Sequence, residues 1–322
     1  MNDDVIVVLA DSDEAQIRML RTKLVGTKIV AGNTSEAFAQ VAADATVLCN
    51  WSGPLALFQK VFVMCPKLRW VHSRSVGLER TLFTELTESS VPLTNGSGVF
   101  SPSLGEFTLG AILYFAKDFR RMICAQKAEK WDAFDVTMAA GKTVGILGYG
   151  DIGRAIATRV RPLGMKVFGL KRHVAKGVMD PLVDGFFKPE QKIEMISQCD
   201  YVVVAAPLTP ETRGMVGEKE IATMKREAVV INVGRGPIID ETALVRALSE
   251  GRIKGAALDV FDEEPLPAGH PFYKLENVLL SPHCADHTPE WLDEAMIFFI
   301  EQFERYRRGE TLLNVVDKKL GY

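Results

Sequence analysis

From its start the chain alternates short apolar runs with amphipathic stretches. Apolar runs lie at residues 5–9, 28–31, 45–49, 68–72 and 92–94, with helical spacing near 14–24, from about 35, around 55–65 and around 79–86. This βαβαβ rhythm predicts a parallel sheet. A single apolar-periodic helix is then expected over 103–125, long enough to bridge two lobes. Beyond it the rhythm resumes, with strands expected at 144–147, 166–170, 201–205, 228–233, 255–258 and 277–280. Asp240 is placed to cap the helix ETALVRALSE, and Gly251 to close it in the left-handed conformation. A last helix over about 289–308 puts Trp291, Ala295, Phe298, Phe299, Gln302 and Phe303 near one face, and it is expected to return to the first lobe.

Length and composition narrow this picture. With 322 residues, two domains are the natural prior, and 47% hydrophobic with 25% charged residues is the balance of a globular protein. No apolar run approaches the roughly 18 residues of a membrane span, and the start MNDD lacks a cationic signal region, so a cytoplasmic protein with no membrane partner is expected. Five cysteines are scattered without a CxxC pair, which suggests neither a disulfide framework nor a metal site. A net charge of −3 gives no electrostatic case for nucleic acid.

The chemistry begins at TVGILGYGDIG, where an apolar strand runs into Gly148, Gly150 and Gly153 and then a helix. In such a loop the first glycine makes the tight turn, the second lets backbone N–H groups approach a pyrophosphate, and the third packs helix on strand. The helix starting near Ile152 presents unpaired N–H groups and the positive end of its dipole to the anion. A lone GxGxxG is weak evidence. Here the strand before it and the apolar run at 166–170 after it supply βαβ context, so a dinucleotide site is expected. About 20 residues further on, where an NAD site offers a carboxylate to the ribose, this chain has Lys171, Arg172 and His173. Two cations attract a 2′-phosphate, and a guanidinium can bind it bidentately. NADP(H) is therefore expected over NAD(H), the alternative being a solvated basic turn.

Ligands of an open parallel sheet bind outside the carboxyl ends of its strands. There the chain delivers Gly234-Arg235-Gly236, then Asp259 with Glu263-Glu264-Pro265, then Ser281-Pro282-His283. An arginine, carboxylates and a histidine on one edge form a set suited to carbonyl reduction.

The blocks GILGYGDIG, PLTPETRGMV, INVGRGPIIDE, ALDVFDEEPLP and SPH, in this order, resemble the D-isomer-specific 2-hydroxyacid dehydrogenases, from the Val76-Gly77-Leu78 loop to the closing LLNVVD. The resemblance implies an α/β architecture of two Rossmann-like or flavodoxin-like domains with parallel sheets. Residues 1–102 and 289–322 would form the substrate domain, and 103–288 an inserted dinucleotide-binding domain. It implies catalytic roles for Arg235 on the substrate carboxylate and keto oxygen, His283 as proton donor and acceptor, and Glu264 as the residue orienting His283. Ser75, Val76 and Gly77 would contact the carboxylate through backbone amides, together with Arg235 and His283. Cofactor contacts are implied for Gly148, Tyr149, Gly150, Asp151, Ile152, Gly153, Lys171, Arg172, Ala206, Pro207, Thr212, Val233, Gly234, Arg235, Asp259 and His283. A homodimer through the cofactor domains is implied as well.

Some positions keep a duller alternative. Asp259 can be a buried cap holding its loop, Glu263 competes with Glu264, and His287 with His283. Arg74, just before the carboxylate loop, is read as solvated or as a contact for a second anionic group, and Trp131 as core or as a residue reaching a neighbouring site. His72 and His270 are read as packing or surface residues, and His173 as a phosphate neighbour at most. The family usually has small neutral residues after the histidine; this chain has Cys284-Ala285-Asp286-His287, which puts the ordinary substrate preference in doubt. The leading expectation is an NADPH-dependent reductase of small 2-keto acids such as glyoxylate or hydroxypyruvate. A 3-phosphoglycerate dehydrogenase-like enzyme and a dinucleotide-sensing scaffold are the rivals.

Overall fold

A computed structural model describes residues 4–79, 81–172 and 180–322. His173 lies outside the described residues. The chain divides into two compact units, one of residues 1–99 with 288–322, the other of residues 100–287.

In chain order the first unit opens with β1 (Val5–Leu9), α1 (Ala15–Lys23), β2 (Lys28–Gly32), β3 (Val47–Asn50), α2 (Leu55–Met64), β4 (Trp70–Ser73), α3 (Thr84–Glu88) and β5 (Leu93–Asn95). The second holds α4 (Ser101–Lys117), α5 (Phe119–Lys127), β6 (Thr143–Leu147), α6 (Asp151–Val160), β7 (Lys166–Leu170), β8 (Gly185–Phe187), α7 (Lys192–Ile196) and β9 (Tyr201–Val204). It continues with α8 (Glu218–Thr223), β10 (Val229–Asn232), α9 (Glu241–Ser249), β11 (Gly255–Leu258) and β12 (Val278–Leu280). Helix α10 (Trp291–Arg307) belongs to the first unit, and it packs on α1 there.

Both sheets are parallel. The first unit has the order β2-β1-β3-β4-β5, the flavodoxin-like pattern, with its switch point between β1 and β3. The second has the order β12-β11-β10-β9-β6-β7-β8, the doubly wound dinucleotide pattern, with its switch point between β6 and β9. Strands buried on both faces explain the near-continuous apolar runs VIVVL, YVVV and VVIN, in which every residue is buried.

Two local expectations need correction. The helix expected over 103–125 breaks at Asp118, which takes a left-handed conformation (φ 51°) and caps the next helix by accepting a hydrogen bond from the Arg121 N–H. Aspartate tolerates that conformation better than most residues, and no glycine or proline marks the break. The helix expected from about residue 35 is two short 3₁₀ turns, Glu36–Phe38 and Ala42–Asp44. The cap at Asp240 is present: its carboxylate accepts from the Ala243 N–H, and Gly251 has φ 63°.

In the first unit His72 is sealed beneath α10. Its ring lies against Trp70, Phe298 and Phe299, and its Nδ1 is 2.8 Å from Thr94 Oγ1, which also accepts the Trp70 indole N–H. Burial presses the imidazole pKa down from 6.5 to about 3. The unfolded chain therefore binds a proton that the folded one refuses. Stability is intact above about pH 6.5 and is lost as pH falls from there towards 3. Replacing His72 with Asn is expected to lower the melting temperature at neutral pH but to flatten its decline between pH 7 and pH 4. Melts showing an unchanged slope would remove His72 from the acid limb.

Candidate active site

The glycine loop shows why Gly148 and Gly153 bear no side chain. Gly148 has φ 94°, and a Cβ there would sit 2.5 Å from the Ala206 Cα. A side chain at Gly153 would meet the Gly148 carbonyl at 3.0 Å and Ile146 at 3.2 Å, so its absence lets α6 lie on β6. At Gly150 a Cβ would meet nothing within 4 Å. That open space lies at the start of α6, whose first N–H groups have no partner within the helix, and it fits a phosphate. A dinucleotide thus fits the residues present.

Around this loop the second unit holds the other expected contacts. Tyr149 is buried against Phe186 and donates its hydroxyl hydrogen bond to Asp180 Oδ2 at 3.0 Å. Across the switch point, Thr212 Oγ1 donates to the Pro207 carbonyl at 2.7 Å and accepts from the Thr209 N–H at 2.8 Å, shaping the turn after Ala206. Lys171 and Arg172 directly follow Leu170, the last residue of β7. The Glu211 carboxyl is held low, chiefly by the Thr209 hydroxyl and with a contribution from the Arg172 charge.

The edge formed by β10, β11 and β12 carries the titratable groups. After β10, Asn232 braces the next loop: its Oδ1 accepts from the Gly234 N–H at 3.0 Å, and its Nδ2 donates to the Arg235 carbonyl at 3.1 Å. Val233 is buried, and Arg235 is half-buried, donating through Nη1 to the Gly234 carbonyl. After β11, Asp259 is 2% exposed. Its Oδ1 accepts from Ser281 Oγ at 2.5 Å and from the Cys284 and Ala285 N–H groups at 3.0 and 3.1 Å, while its carbonyl accepts from the His283 N–H. His283 itself has φ 51°. Its Nδ1 lies 2.7 Å from Glu264 Oε2, and the other oxygen of Glu264 accepts the Phe261 N–H at 2.9 Å. Glu264 rather than Glu263 is the carboxylate on this histidine.

Residues 109–285 match the family model of the D-isomer specific 2-hydroxyacid dehydrogenase, NAD binding domain. The chain belongs to this family. It is accordingly an NAD(P)-dependent oxidoreductase of the kind that acts on CH–OH groups. A glyoxylate reductase of Korarchaeum cryptofilum is 33% identical over 279 residues, covering 81% of this chain and 80% of its own length. A D-3-phosphoglycerate dehydrogenase of Methanocaldococcus jannaschii is 32% identical over 98% of this chain, which spans only 58% of that relative's length. Among solved structures, a D-isomer specific 2-hydroxyacid dehydrogenase from Xanthobacter autotrophicus Py2, in complex with NADPH and MES, superposes with a TM-score of 0.85 at 30% identity over 99% of both chains.

In this dehydrogenase the bracing roles of Asn232, Ser281 and Thr212 went unread in the sequence. The available signal was a short polar side chain beside a glycine or at a strand end, where it can take backbone hydrogen bonds. Ser75, Val76 and Gly77 lie in the first unit, just after β4, and His270 caps a 3₁₀ turn, accepting from the Phe272 N–H. No helix among the described residues is long and apolar enough to cross a membrane.

Asp286 is the unusual group of the dehydrogenase's histidine loop. Among the described residues its Oδ1 is buried without a hydrogen-bond partner, 3.7 Å from His287 Nε2. Burial pushes its carboxyl pKa up; the charge of Asp259 adds to this, and His287 and His283 oppose it. A carboxyl raised on folding penalises the folded state above its folded pKa, and the penalty fades once pH falls below the unfolded value of 3.8. Replacing Asp286 with Asn is thus expected to raise the melting temperature at pH 8. The gain should shrink towards pH 4 in thermal melts, and a gain independent of pH would overturn this account.

Proposed function

We propose that the protein is an NADP(H)-dependent reductase of small 2-keto acids, with glyoxylate and hydroxypyruvate as first substrates. The observation that carries this reading is the 2.7 Å pair of His283 and Glu264 on the sheet edge that also presents Arg235. Glu264 accepts the Nδ1 proton, which orients the ring and leaves Nε2 to give a proton to the forming alkoxide, or to take it in the reverse direction. Arg235 would bind the substrate carboxylate and polarise the keto oxygen, because a planar guanidinium stays charged and fits a carboxylate. The backbone amides of Ser75, Val76 and Gly77 would add carboxylate contacts. When bound, the reduced nicotinamide supplies the hydride that substrate C2 accepts.

Gly148, Tyr149, Gly150, Asp151, Ile152 and Gly153 would hold the pyrophosphate. Ala206, Pro207, Thr212, Val233 and Gly234 would line the dinucleotide, with Asp259 towards the carboxamide. Lys171 and Arg172 support NADP(H) over NAD(H), and the NADPH in the Xanthobacter structure supports it too. The Korarchaeum relative supports glyoxylate. The Methanocaldococcus relative, aligned over nearly the whole chain, favours a second reading in which the keto acid carries a phosphate.

We also propose a homodimer through the second unit. Helix α5 buries none of its residues, and Met122 and Ile123 on it are exposed, as are Val136 and Met138 beyond it. Trp131 is 100% exposed. Exposed apolar patches of this kind mark interaction surfaces. Five free thiols suit a reducing compartment, and the cytoplasm is part of this reading.

The decisive assay follows NADPH and NADH oxidation in parallel with glyoxylate, hydroxypyruvate, pyruvate and phosphohydroxypyruvate. Faster turnover with NADPH is expected, and its ratio to NADH should invert when Lys171 and Arg172 are both changed to Glu. His283→Gln should lower kcat by roughly 100-fold or more while cofactor binding persists. Undiminished turnover in that variant would remove His283 as proton donor, and turnover with NADH alone would remove the cofactor preference. In sedimentation, a dimer is expected that Trp131→Glu with Met122→Glu dissociates; a wild-type monomer would exclude it.

A further inference from the structure

Tyr149 stands between Gly148 and Gly150, and it ties the glycine loop to the edge of the second unit's sheet in three ways. Its backbone N–H donates to the carbonyl of Leu170, the last residue of β7, at 3.0 Å. Its ring meets that of Phe186 in β8 edge-on, with centres 5.3 Å apart. Its hydroxyl donates to Asp180 Oδ2 at 3.0 Å, at the start of the turn that leads into β8. Burial, and then the Asp180 carboxylate, push the phenol pKa up, so the hydroxyl keeps its proton and acts as the donor. The Asp180 side chain is only 15% exposed, with Oδ2 3.5 Å from Arg154 Nη1 on α6. Its Oδ1 accepts the Leu182 N–H at 3.0 Å, and its carbonyl closes the turn by accepting the Val183 N–H at 3.0 Å.

A carboxylate this far from water costs folding free energy unless its oxygens are occupied, and here a phenol, an amide and a guanidinium occupy them. What the arrangement holds is the end of β7. The Leu170 carbonyl takes the N–H groups of Gly148 and Tyr149, and the next residue, Lys171, donates its N–H to the Phe187 carbonyl of β8 at 3.0 Å. The backbone from which Lys171 and Arg172 project is therefore fixed by the glycine loop on one side and by β8 on the other. Strand β8 is three residues long and lies at the sheet edge, so its position leans on the Tyr149 ring and on the Asp180 turn. We infer that Asp180 is a positioning residue for recognition of the cofactor's 2′-phosphate: through the Tyr149 hydroxyl it holds the β7–β8 edge from which Lys171 and Arg172 bind that group. This rests on the reading of the cofactor as NADP(H), and every residue it uses lies in the second unit.

NADPH and NADH differ only in the 2′-phosphate. The ratio of their dissociation constants, measured by calorimetry without substrate, isolates recognition of that group, and the wild type is expected to bind NADPH more tightly. Asp180→Ala should weaken NADPH binding by roughly 3- to 30-fold and NADH binding by less than about 2-fold, because the backbone bonds from Gly148 and Tyr149 to Leu170 survive. Tyr149→Phe keeps the ring on Phe186 and removes only the hydroxyl, and it should shift the ratio in the same direction. Should Asp180→Ala fail to fold, Tyr149→Phe carries the same test. Two residues acting through one contact should not add, so the double variant is expected to lose no more NADPH affinity than the weaker-binding single variant. Equal losses for both cofactors would reduce the pair to a structural staple, tighter NADPH binding would make Asp180 a repelling charge, and additive losses would separate the two residues. Each of these overturns the inference. A wild type without preference for NADPH would overturn the cofactor reading itself, whereas a preference that the variants leave intact would overturn only the role of Asp180.

Discussion

One carboxylate oxygen, Asp259 Oδ1, accepts three hydrogen bonds from the segment 281–285, and the carbonyl of the same residue accepts a fourth. The donors lie on both sides of His283, so the end of β11 dictates the path of the loop that carries this histidine. Without that anchor a non-glycine residue would not be expected to persist at φ 51°. The contact with Glu264 depends in turn on that path, since two side chains from separate loops meet at 2.7 Å only when both backbones are held. Asp259 therefore already has the buried capping role that competed with a cofactor contact in the sequence reading.

The same economy of charge recurs elsewhere. Asp286 buries an oxygen with no hydrogen-bond partner among the described residues, in the loop that Asp259 holds, and Arg74 rests its charge on two indole faces rather than on an acid. Each arrangement costs folding free energy, because desolvated charge is offset only in part. Groups of this sort concentrate where ligands act. His72 is the contrasting case, a titratable group buried in its neutral form within an aromatic cluster and distant in kind from any chemistry.

Much of this was legible in the chain before any coordinates. Parallel strands buried on both faces leave long apolar runs, so the βαβ rhythm and the glycine loop could be read directly, as could the Asp240 cap. The misses have physical causes. The break at Asp118 lies within continuous helical periodicity, and left-handed aspartate has no strong local signature. Strand β8 is three residues long, too short to show a period. The supports of Asn232 and Ser281 are side-chain bonds whose partners are chosen by the loop's path.

By itself the sequence determined what depends on local sterics and on order along the chain: the alternation of strands and helices, the three glycines that a pyrophosphate turn requires, the basic pair after β7, and the family to which these blocks belong. Only the tertiary structure decided which of two adjacent glutamates meets His283 and which loop Asp259 ties down. It also decided whether Arg74 faces water or lies between two rings. These outcomes turn on directions and distances between residues far apart in the chain. Periodicity and spacing specify the face of an element, whereas the packed structure specifies which side chains from different elements converge on one point.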